Sequence, residues 1–483
     1  MKETFFITTA IDYPSAKPHI GHALEKIQAD VIARYKRSQG FDVHFSIGTD
    51  EHGLKIQRYA KKAGKTPKEF VDEMSGHFAI LWEKLNISHD DFIRTTEQRH
   101  EKVAQELLKK IYDNGDLYKG NYKGLYCVDC ETFYLPKDLD ENRGCPVHHR
   151  PVEEMQEEAY FFRMSKYHKQ ILEHIQENKN FIIPEARRNG ILERLKEPVE
   201  DLSISRSADI WGVPFPIDQK FSIFVWVEAL MNYLTTIDYP NKKFKEFWPA
   251  NVHVIGKDIV WHHSVIWGSV LLSLGLPLPK TLFVHGFITV DGQKMSKSIG
   301  NVIDPFGLVE KYGTDAVRYF FLREIPPTED GDFSFEKFET RYNADLASGL
   351  GNLVARTLAL AKKQQSTINN QQFNNSDFQK LVDETKKNVD ESLEEFRFND
   401  ALMAIWDIIH ACDKYVDEKR PWQATEGQKA VIADLLLAIS DIAELIQPFL
   451  PETAQKIQQQ LQGGEAKALF PRLESRKIDT REF

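Results

Sequence analysis

The chain has 483 residues, of which 42% are apolar and 28% are charged, and its formal net charge is −10. This length exceeds what one hydrophobic core usually serves, so two to four domains are expected. The acidic balance excludes a protein that holds nucleic acid mainly through its overall field, so any RNA must meet local basic patches. No apolar run reaches the roughly 18 residues of a membrane span, and four cysteines make no disulfide scaffold.

The first third of the chain predicts an α/β arrangement. "ETFFITTA" and "FDVHFSIG" read as strands, and the segment between them places Leu24, Ile27, Val31 and Tyr35 at helical spacing, with Gly40 as its stop. "ANVHVIG" and "KTLFVHG" are two later strands. Strands separated by helices predict a Rossmann-like, doubly wound parallel sheet. Because the N-terminus leads directly into a strand and has no targeting pattern, a cytoplasmic protein is predicted.

Two other regions have a different character. Residues 116–224 contain three of the four cysteines and no βα rhythm, which predicts an insertion into the α/β domain. From about residue 345 the chain is predicted to be helical, with Cys412 on a core face and a polar loop over 362–379. One helical stripe consists of Leu402, Ile405, Trp406, Ile409 and Val416.

Each predicted sheet strand leads into a polar cluster. The clusters are "YPSAKPHIGHA", "GTDEHG", "GKDIVWHH" and "DGQKMSKS". Because ligands of open parallel sheets bind beyond the carboxyl ends of the strands, the four clusters are expected to meet in one crevice.

The usual phosphate-binding loops are absent from the sequence. No G-x-G-x-x-G opens a helix, and "GKT" at 64–66 has Tyr59 where a P-loop needs its first glycine. His19 and His22 instead flank Gly21 at the expected start of a helix, where an anion is favoured and two imidazoles add donors. Gly21 would let an adenine ring approach the backbone.

The segment "VDGQKMSKSIGN", residues 290–301, carries a second candidate phosphate site. Lys294 and Lys297 would bring positive charge to the phosphates from a loop that closes as charge develops in the reaction. The alternative interpretation of both motifs is a surface histidine pair and a solvated lysine loop.

The predicted insertion carries a candidate metal site. Cys127, Cys130, Cys145 and His148 follow the spacing C-x₂-C-x₁₄-C-x₂-H, which fits one tetrahedral, structural Zn²⁺. His149 is an alternative fourth ligand. The competing interpretation is a group of reduced structural cysteines, or a knuckle that has lost its metal.

His-Ile-Gly-His at 19–22 and Lys-Met-Ser-Lys-Ser at 294–298 resemble the two signatures of class I aminoacyl-tRNA synthetases. "GTDEHG", "ISRSADIWG", "FVWVEALMNYL", "VIGKDIVWHHSVIW" and "HGFITVDGQKMSKSIGN" resemble blocks of the methionyl members, and the likeness runs along essentially the whole chain. It implies a Rossmann-like catalytic domain, an inserted zinc-knuckle connective domain and a C-terminal α-helical bundle. It also implies ATP-dependent activation of L-methionine to methionyl-adenylate, with Mg²⁺ accompanying ATP, and transfer to the 3′ end of tRNA(Met) for translation initiation and elongation.

The resemblance also assigns site residues. His19, His22, Lys294 and Lys297 are implied to be catalytic, stabilising the pentavalent phosphorus. The implied ATP contacts are His19, Gly21, His22, Gly256, Asp258, Lys294, Met295, Ser296 and Lys297. The implied methionine contacts are Ala10, Ile11, Tyr13, Asp50, Trp226, Ala229, Tyr233, Ile259 and His263, with Asp50 on the ammonium group. The implied anticodon contacts are Asn352, Arg356 and Trp422. The chain departs from some family members at Leu202 and Leu230, which bear on the pocket shape.

The domain boundaries implied are a catalytic domain in two halves, 1–115 and 225–300, around a connective insertion, 116–224. A stem-contact linker, 301–345, an anticodon-binding domain, 346–465, and a tail, 466–483, follow. Because no appended dimerising module is recognised, a monomer is predicted.

Three alternatives stay open at this point. The first is a shorter type of nucleotidyltransferase that shares the His-x-Gly-His helix and makes a dinucleotide or a CDP-alcohol. The second is a tRNA-binding relative without enzymatic activity. The third is a synthetase for cysteine, leucine, isoleucine or valine.

Overall fold

The computed structural model describes residues 2–129, 132–134, 136–147, 149–295, 300–365, 372–423, 427–465 and 467–474. The chain divides into two compact units. The first comprises Met1–Pro18, Gly40–Ile80 and His89–Val284, and the second comprises His19–Gln39, Leu81–Ser88 and His285–Phe483. Among the described helices, none combines the length and the hydropathy that crossing a bilayer requires.

The strands are β1 (Thr4–Thr9), β2 (Asp42–Thr49), β3 (Asp91–Arg94), β4 (Leu117–Cys127), β5 (Thr132–Tyr134), β6 (Glu153–Phe162), β7 (Ile182–Ile183), β8 (Leu202–Ser203), β9 (Ser205–Ser207), β10 (Phe221–Ile223), β11 (Val252–Gly256), β12 (Thr281–His285), β13 (Ile288–Val290), β14 (Gln293–Lys294) and β15 (Gly331–Phe333).

The helices are α1 (Ile20–Ser38), α2 (Leu54–Lys62), α3 (Pro67–Lys84), α4 (Gln98–Asp113), α5 (His168–Glu177), α6 (Glu185–Arg194), α7 (Val225–Leu230), α8 (Asn232–Thr235), α9 (Lys242–Phe247), α10 (Trp267–Ser273), α11 (Pro305–Tyr312), α12 (Thr314–Arg323), α13 (Phe335–Arg341), α14 (Asn352–Gln364), α15 (Ser376–Glu394), α16 (Phe398–Lys419), α17 (Gln428–Ile446) and α18 (Pro451–Leu461). π-Helical turns lie at His262–Ile266 and Tyr342–Gly351.

A six-stranded sheet, in the order β3-β2-β1-β11-β12-β7, organises the first unit. β1 pairs in parallel with β2 and β11, β2 with β3, and β12 with β7. β1 and β2 are buried along nearly their whole length, as parallel strands covered on both faces are. The predicted α/β class with a parallel sheet is therefore confirmed, and each of the four predicted strands is present.

Residues 116–224 contain an antiparallel sheet in the order β5-β4-β6-β8, a β9–β10 pair, and the helices α5 and α6. The long β4–β6 ladder runs from the Leu117–Phe162 pair to the Tyr126–Glu153 pair. This segment also supplies β7, which extends the parallel sheet beside β12. Neither β7 nor β3 was predicted, because runs of two and four residues are too short to show a period.

The second unit is largely helical. α1 buries the predicted Leu24, Ile27 and Val31, and Gly40, two residues beyond its end, has a left-handed φ of 90°. α16 buries the predicted stripe together with Cys412, so this helix is confirmed. The predicted loop over 362–379 was wrong at both ends, since α14 continues to Gln364 and α15 begins at Ser376. Residues 366–371, inside that span, lie outside the described residues.

Arg318 on α12 joins distant parts of the second unit. Its fully buried guanidinium has Nη2 at 2.7 Å from the carboxylate of Asp30 on α1. The same group donates to the backbone carbonyls of Phe449 at 2.8 Å, Pro448 at 3.0 Å and Leu85 at 3.2 Å. Burial alone would raise the pKa of Asp30, but the Arg318 and Arg34 guanidinium groups hold it below its usual value. The interaction is thus a buried ion pair that is supported by hydrogen bonds to three backbone carbonyls.

Replacing Arg318 by methionine should lower the free energy of unfolding by about 3–5 kcal/mol, because the Asp30 carboxylate would stay buried without its main counter-charge. Urea unfolding followed by circular dichroism measures this. The control is Lys387→Met, which removes an exposed pair with Glu391 and should cost no more than about 0.5 kcal/mol. Equal losses in the two variants would contradict the assigned role of Arg318.

Candidate active site

Backbone hydrogen bonds hold together the two loops that follow β1 and β2. The amide of Asp12 donates to Gly48 O at 2.8 Å, and the amide of Asp50 donates to Asp12 O at 2.8 Å. A side chain at position 48 could not be accommodated, since a Cβ there would lie 2.1 Å from Ile93 O on β3. The loop from Ala10 onward is therefore fixed beside Asp50.

A cavity of about 920 Å³ opens in the first unit at this edge of the sheet. Its lining includes all nine residues predicted to contact methionine, together with Asp258, Leu202 and Leu230. Asp50 is buried, with 5% of its surface exposed. The nine residues are Ala10, Ile11, Tyr13, Asp50, Trp226, Ala229, Tyr233, Ile259 and His263. Their roles as ligand contacts stay predictions.

One part of the cavity wall is aromatic. Trp226 stacks on His262 with ring centroids 4.3 Å apart, and the Tyr233 hydroxyl lies 2.8 Å from Nε2 of His263. His263 Nδ1 lies 3.0 Å from Ile259 O; since a carbonyl only accepts, Nδ1 carries the hydrogen. In the neutral ring Nε2 then accepts from Tyr233. Burial, with smaller effects of His263 and Arg194, lowers the pKa of His262 to about 3, so the stacked ring is uncharged at neutral pH.

The turn that carries Asp50 is locked by its neighbour Glu51. This fully buried carboxylate accepts from Arg94 Nε at 2.6 Å and Nη2 at 3.0 Å, and from Thr49 Oγ1 at 2.8 Å. Its amide donates to Thr95 Oγ1 at 2.9 Å. The sequence analysis did not assign Glu51 or Arg94, although two adjacent carboxylates in "GTDEHG" are a signal that one of them needs a buried cation.

The N-terminus of α1, in the second unit, is closed by its own histidines. Gly21 N donates to Nδ1 of His19 at 3.1 Å, and His19 N donates to Nδ1 of His22 at 3.1 Å. Both Nδ1 atoms are therefore acceptors, which puts the hydrogen of each neutral ring on Nε2. Burial, followed by the charges of His19 and Lys26, lowers the pKa of His22 well below its usual value. The Gly21 amide is thus already used within the cap.

Of the predicted lysine motif, residues 294–298, the structure describes Lys294 and Met295. Lys294 is exposed on β14 and pairs with Thr289. The methyl of Met295 lies 3.6 Å from the position that a Cβ on Gly21 would occupy, so the two predicted signature segments are neighbours in the second unit. Ser296 and Lys297 lie outside the described residues.

The two remaining predicted ATP contacts belong to the first unit. Gly256 is the buried last residue of β11. Asp258 is exposed on the 3₁₀ turn Lys257–Ile259 that follows. Both therefore lie at the carboxyl end of a parallel strand, where ligands of such sheets bind.

The structure describes two of the four predicted metal ligands. Cys127 and Cys145 are buried thiols, while Cys130 and His148 lie outside the described residues. Cys127 closes the β4–β5 pairing opposite Thr132. Within the described residues, no group of three or more His, Cys, Asp or Glu side chains is arranged so that it could hold a metal ion.

The surroundings of Cys145 suit a thiolate. Its Sγ accepts from the amide of Val147 at 3.4 Å, and its backbone bonds to Arg150 and His149 close a tight turn. The exposed His149 ring lies 3.1 Å from Asp140. A buried thiol with an amide donor, on a turn spaced like a zinc knuckle, fits the chemistry of a structural zinc ligand.

The predicted anticodon residues lie in the helical part of the second unit. Asn352 is exposed at the start of α14. The Arg356 guanidinium lies 5.0 Å from the ring centre of Trp422, and its Nη2 lies 3.1 Å from Asp417. Trp422 follows α16 and is 43% exposed. This pair offers a planar, cationic surface.

The family profile described as "tRNA synthetases class I (M)" matches residues 5–151 and 134–358, and that described as "Anticodon-binding domain of tRNA ligase" matches residues 377–482. The methionine–tRNA ligase of Caldanaerobacter subterraneus subsp. tengcongensis is 44% identical over 474 residues, covering 95% of this chain and 74% of the relative. That of Thermotoga maritima is 44% identical over 467 residues, covering 94% and 74%. The solved Mycobacterium tuberculosis methionyl-tRNA synthetase in complex with methionyl-adenylate has a TM-score of 0.91 and 39% identity, covering 95% of this chain and 93% of that one.

Replacing Gly21 by alanine should weaken the α1 cap, because the new Cβ would lie 3.0 Å from Cε1 and 3.1 Å from Nδ1 of His19. We expect a loss of about 0.5–2 kcal/mol in the free energy of unfolding, the usual cost of a lost N-cap bond. The control is Gly76→Ala, in the interior of α3 with no atom within 4 Å of the new Cβ. Urea unfolding that showed G21A as stable as G76A would contradict this account.

Proposed function

The chain belongs to the class I methionine–tRNA ligases, and we propose that it joins L-methionine to tRNA(Met) through a methionyl-adenylate. In the first step the methionine carboxylate attacks the α-phosphorus of ATP and pyrophosphate leaves. In the second step a hydroxyl of the terminal tRNA adenosine attacks the activated carbonyl and AMP leaves. The observation that carries this proposal is the single cavity lined by the nine residues assigned to methionine.

The cavity has the chemistry that methionine requires. The buried Asp50 carboxylate would hold the substrate ammonium, and the face of Trp226 would contact the thioether, at roughly 0.3–1.5 kcal/mol for a sulfur–aromatic contact. With a neutral His263 ring, the Tyr233 hydroxyl donates to Nε2, and this wall then offers the sulfur an uncharged surface. Leu202 and Leu230 adapt the shape of the cavity.

The phosphates of ATP would meet His19, His22, Lys294 and Lys297. As neutral rings protonated at Nε2, the histidines donate hydrogen bonds without adding charge. Lys294, exposed on β14, would supply charge as it develops on phosphorus, together with Lys297.

Other residues would complete the ATP site. Gly256 and Asp258 would contact the adenosine, Gly21 would admit the adenine ring, and Met295 and Ser296 would contact ATP from the lysine motif. Bound Mg²⁺ would neutralise part of the phosphate charge, largely through its own waters.

One structural Zn²⁺ is proposed at Cys127, Cys130, Cys145 and His148. The support is the burial of Cys127 and Cys145 and the amide that donates to Cys145 Sγ. The metal would stabilise the connective insertion, and four protein ligands would leave no position for a substrate.

Asn352, Arg356 and Trp422 are proposed to read the anticodon. An exposed indole stacks an unpaired base for about 1–3 kcal/mol, while amide and guanidinium groups reach base edges. The cation–π contact of Arg356 and Trp422 supports this role.

The proposed domains keep the boundaries implied by the sequence. They are the catalytic halves 1–115 and 225–300, the insertion 116–224, the linker 301–345, the anticodon-binding domain 346–465 and the tail 466–483. A monomeric state and a cytoplasmic location stay predictions.

Pyrophosphate exchange into ATP, measured with each of the twenty amino acids, tests the proposed function. We expect methionine to give by far the greatest exchange, with homocysteine, one methyl smaller, about 10–200-fold weaker. The greatest rate with cysteine, leucine, isoleucine or valine would indicate a sister enzyme. No exchange with any amino acid would indicate a relative without activity.

A second arm of the same experiment charges a tRNA(Met) transcript. Trp422→Ala should raise the KM for tRNA about 5–150-fold, which corresponds to the loss of one stacked base, and leave the exchange rate unchanged. An unchanged KM for tRNA would contradict the anticodon role of Trp422.

Metal analysis of the purified chain should find about one zinc per molecule, and Cys145→Ser should reduce it strongly, because one of four ligands is lost. The control is Cys412→Ser, a buried cysteine of α16 that should leave the zinc content unchanged. A purified chain that lacks zinc and takes up none from solution would refute the site.

A further inference from the structure

Glu228 is the one charged residue in the apolar run "FVWVEALMNYL", and it is almost completely buried, with 1% of its surface exposed. Its Oε1 lies 3.1 Å from Nδ1 of His52 and 3.0 Å from Nε2 of His100. Its Oε2 has no hydrogen-bond partner among the residues that the structure describes. One carboxylate oxygen thus joins two histidines that come from different parts of the chain.

The residues of α7 differ in whether they line the cavity. Trp226 and Ala229 line the cavity, whereas Glu228 does not. His52 lies two residues after Asp50, and its carbonyl oxygen accepts from the Tyr13 hydroxyl at 2.9 Å. The Glu228–His52 bond therefore ties the helix that carries one part of the cavity lining to the turn that carries Asp50, another part of it.

His100 contacts the same oxygen from a helix with no role in the cavity. Among the described residues, α4 contributes none to the cavity lining. The other ring nitrogen of His100 lies 3.2 Å from Thr235 Oγ1. Glu228 therefore contacts His52, which lies next to the cavity wall, and His100, which lies in the surrounding core.

The contact of Glu228 with His52 favours the charged form of both side chains. Burial lowers the pKa of His52, but the nearby carboxylates, with that of Glu228 as the largest contributor among them, together raise it above the usual value. Glu101 on α4 and Glu51 in the same turn, the other charges that face His52, act in the same direction. The pKa of Glu228 is held well below its usual range by His52 and His100.

Stability alone does not explain such a pair. Buried ion pairs are often no more stabilising than apolar side chains of the same volume, because both charges lose their hydration. What the pair provides is a fixed distance and direction between two elements. The elements in question carry the proposed contacts of a single substrate.

We propose that Glu228 is a positioning residue for methionine, which acts through His52 to set Trp226 and Ala229 against Asp50 and Tyr13. The proposal rests on the proposed function of the cavity. It does not make Glu228 a substrate contact, since the carboxylate lies behind the cavity wall.

The test uses Glu228→Gln, His52→Gln and His100→Gln in the full-length chain. Pyrophosphate exchange gives kcat and separate KM values for methionine and ATP, and thermal unfolding gives Tm. We expect E228Q and H52Q to raise the KM for methionine about tenfold or more while the KM for ATP changes less than about twofold. H100Q should lower Tm comparably but leave the KM for methionine within about twofold.

The outcomes separate a positioning role from a structural one. If all three variants raise the KM for methionine in proportion to their loss of Tm, the cluster is only structural and the proposal fails. An unchanged KM in E228Q or in H52Q also overturns it, and H52Q probes the same bond should E228Q not fold. The unmodified chain is the reference: absence of methionine-dependent exchange there refutes the proposed function itself, independently of the variants.

Discussion

The candidate site depends on a few backbone hydrogen bonds at the carboxyl edge of the parallel sheet. The loops after β1 and β2 exchange amide–carbonyl bonds through Asp12, Gly48 and Asp50. These bonds fix the two segments relative to each other, and both segments carry side chains that line one cavity. The closeness of β3 behind them removes the space for any side chain at position 48. The sheet thereby converts strand pairing into a fixed arrangement of Ala10, Tyr13 and Asp50.

Buried carboxylates paired with an arginine or a histidine occur in several parts of the chain. Glu51 meets Arg94, Glu228 meets His52, and Asp30 meets Arg318, each pair joining elements remote in sequence. Each pair costs desolvation, which hydrogen bonds and the opposite charge offset. The benefit is a defined orientation of the two elements. An apolar contact lets them slide past each other, whereas a carboxylate with defined hydrogen-bond donors holds them in one position. The pairs of Glu51 and Glu228 both act on elements that line the cavity.

The sequence predicted those features that depend on local chemistry. The four longer strands of the parallel sheet, the start of α1 and the apolar stripe of α16 follow from periodicity and capping residues, and the structure has them. The strands β3 and β7 could not be found, because their place comes from pairing with β2 and β12 rather than from their own residues.

At the site, residues near the recognised motifs were assigned, but those behind them were not. Glu51, Arg94, Glu228 and His100 are unremarkable along the chain, and only tertiary packing brings them together. Two local clues existed, since the adjacent carboxylates in "GTDEHG" and the isolated glutamate in an apolar run each indicate a buried partner. The identity of each partner needs coordinates.

The contacts of Arg318 have a consequence for how the chain can be divided. Its partners are Asp30 and Leu85 from early segments and Phe449 from near the end. A fragment that began at His285 would contain the guanidinium and Phe449 but neither of the early partners. The helical third is therefore not a portable module: transplanted onto another protein, it would bring a buried guanidinium without its counter-charge, because its compact unit is discontinuous and includes α1.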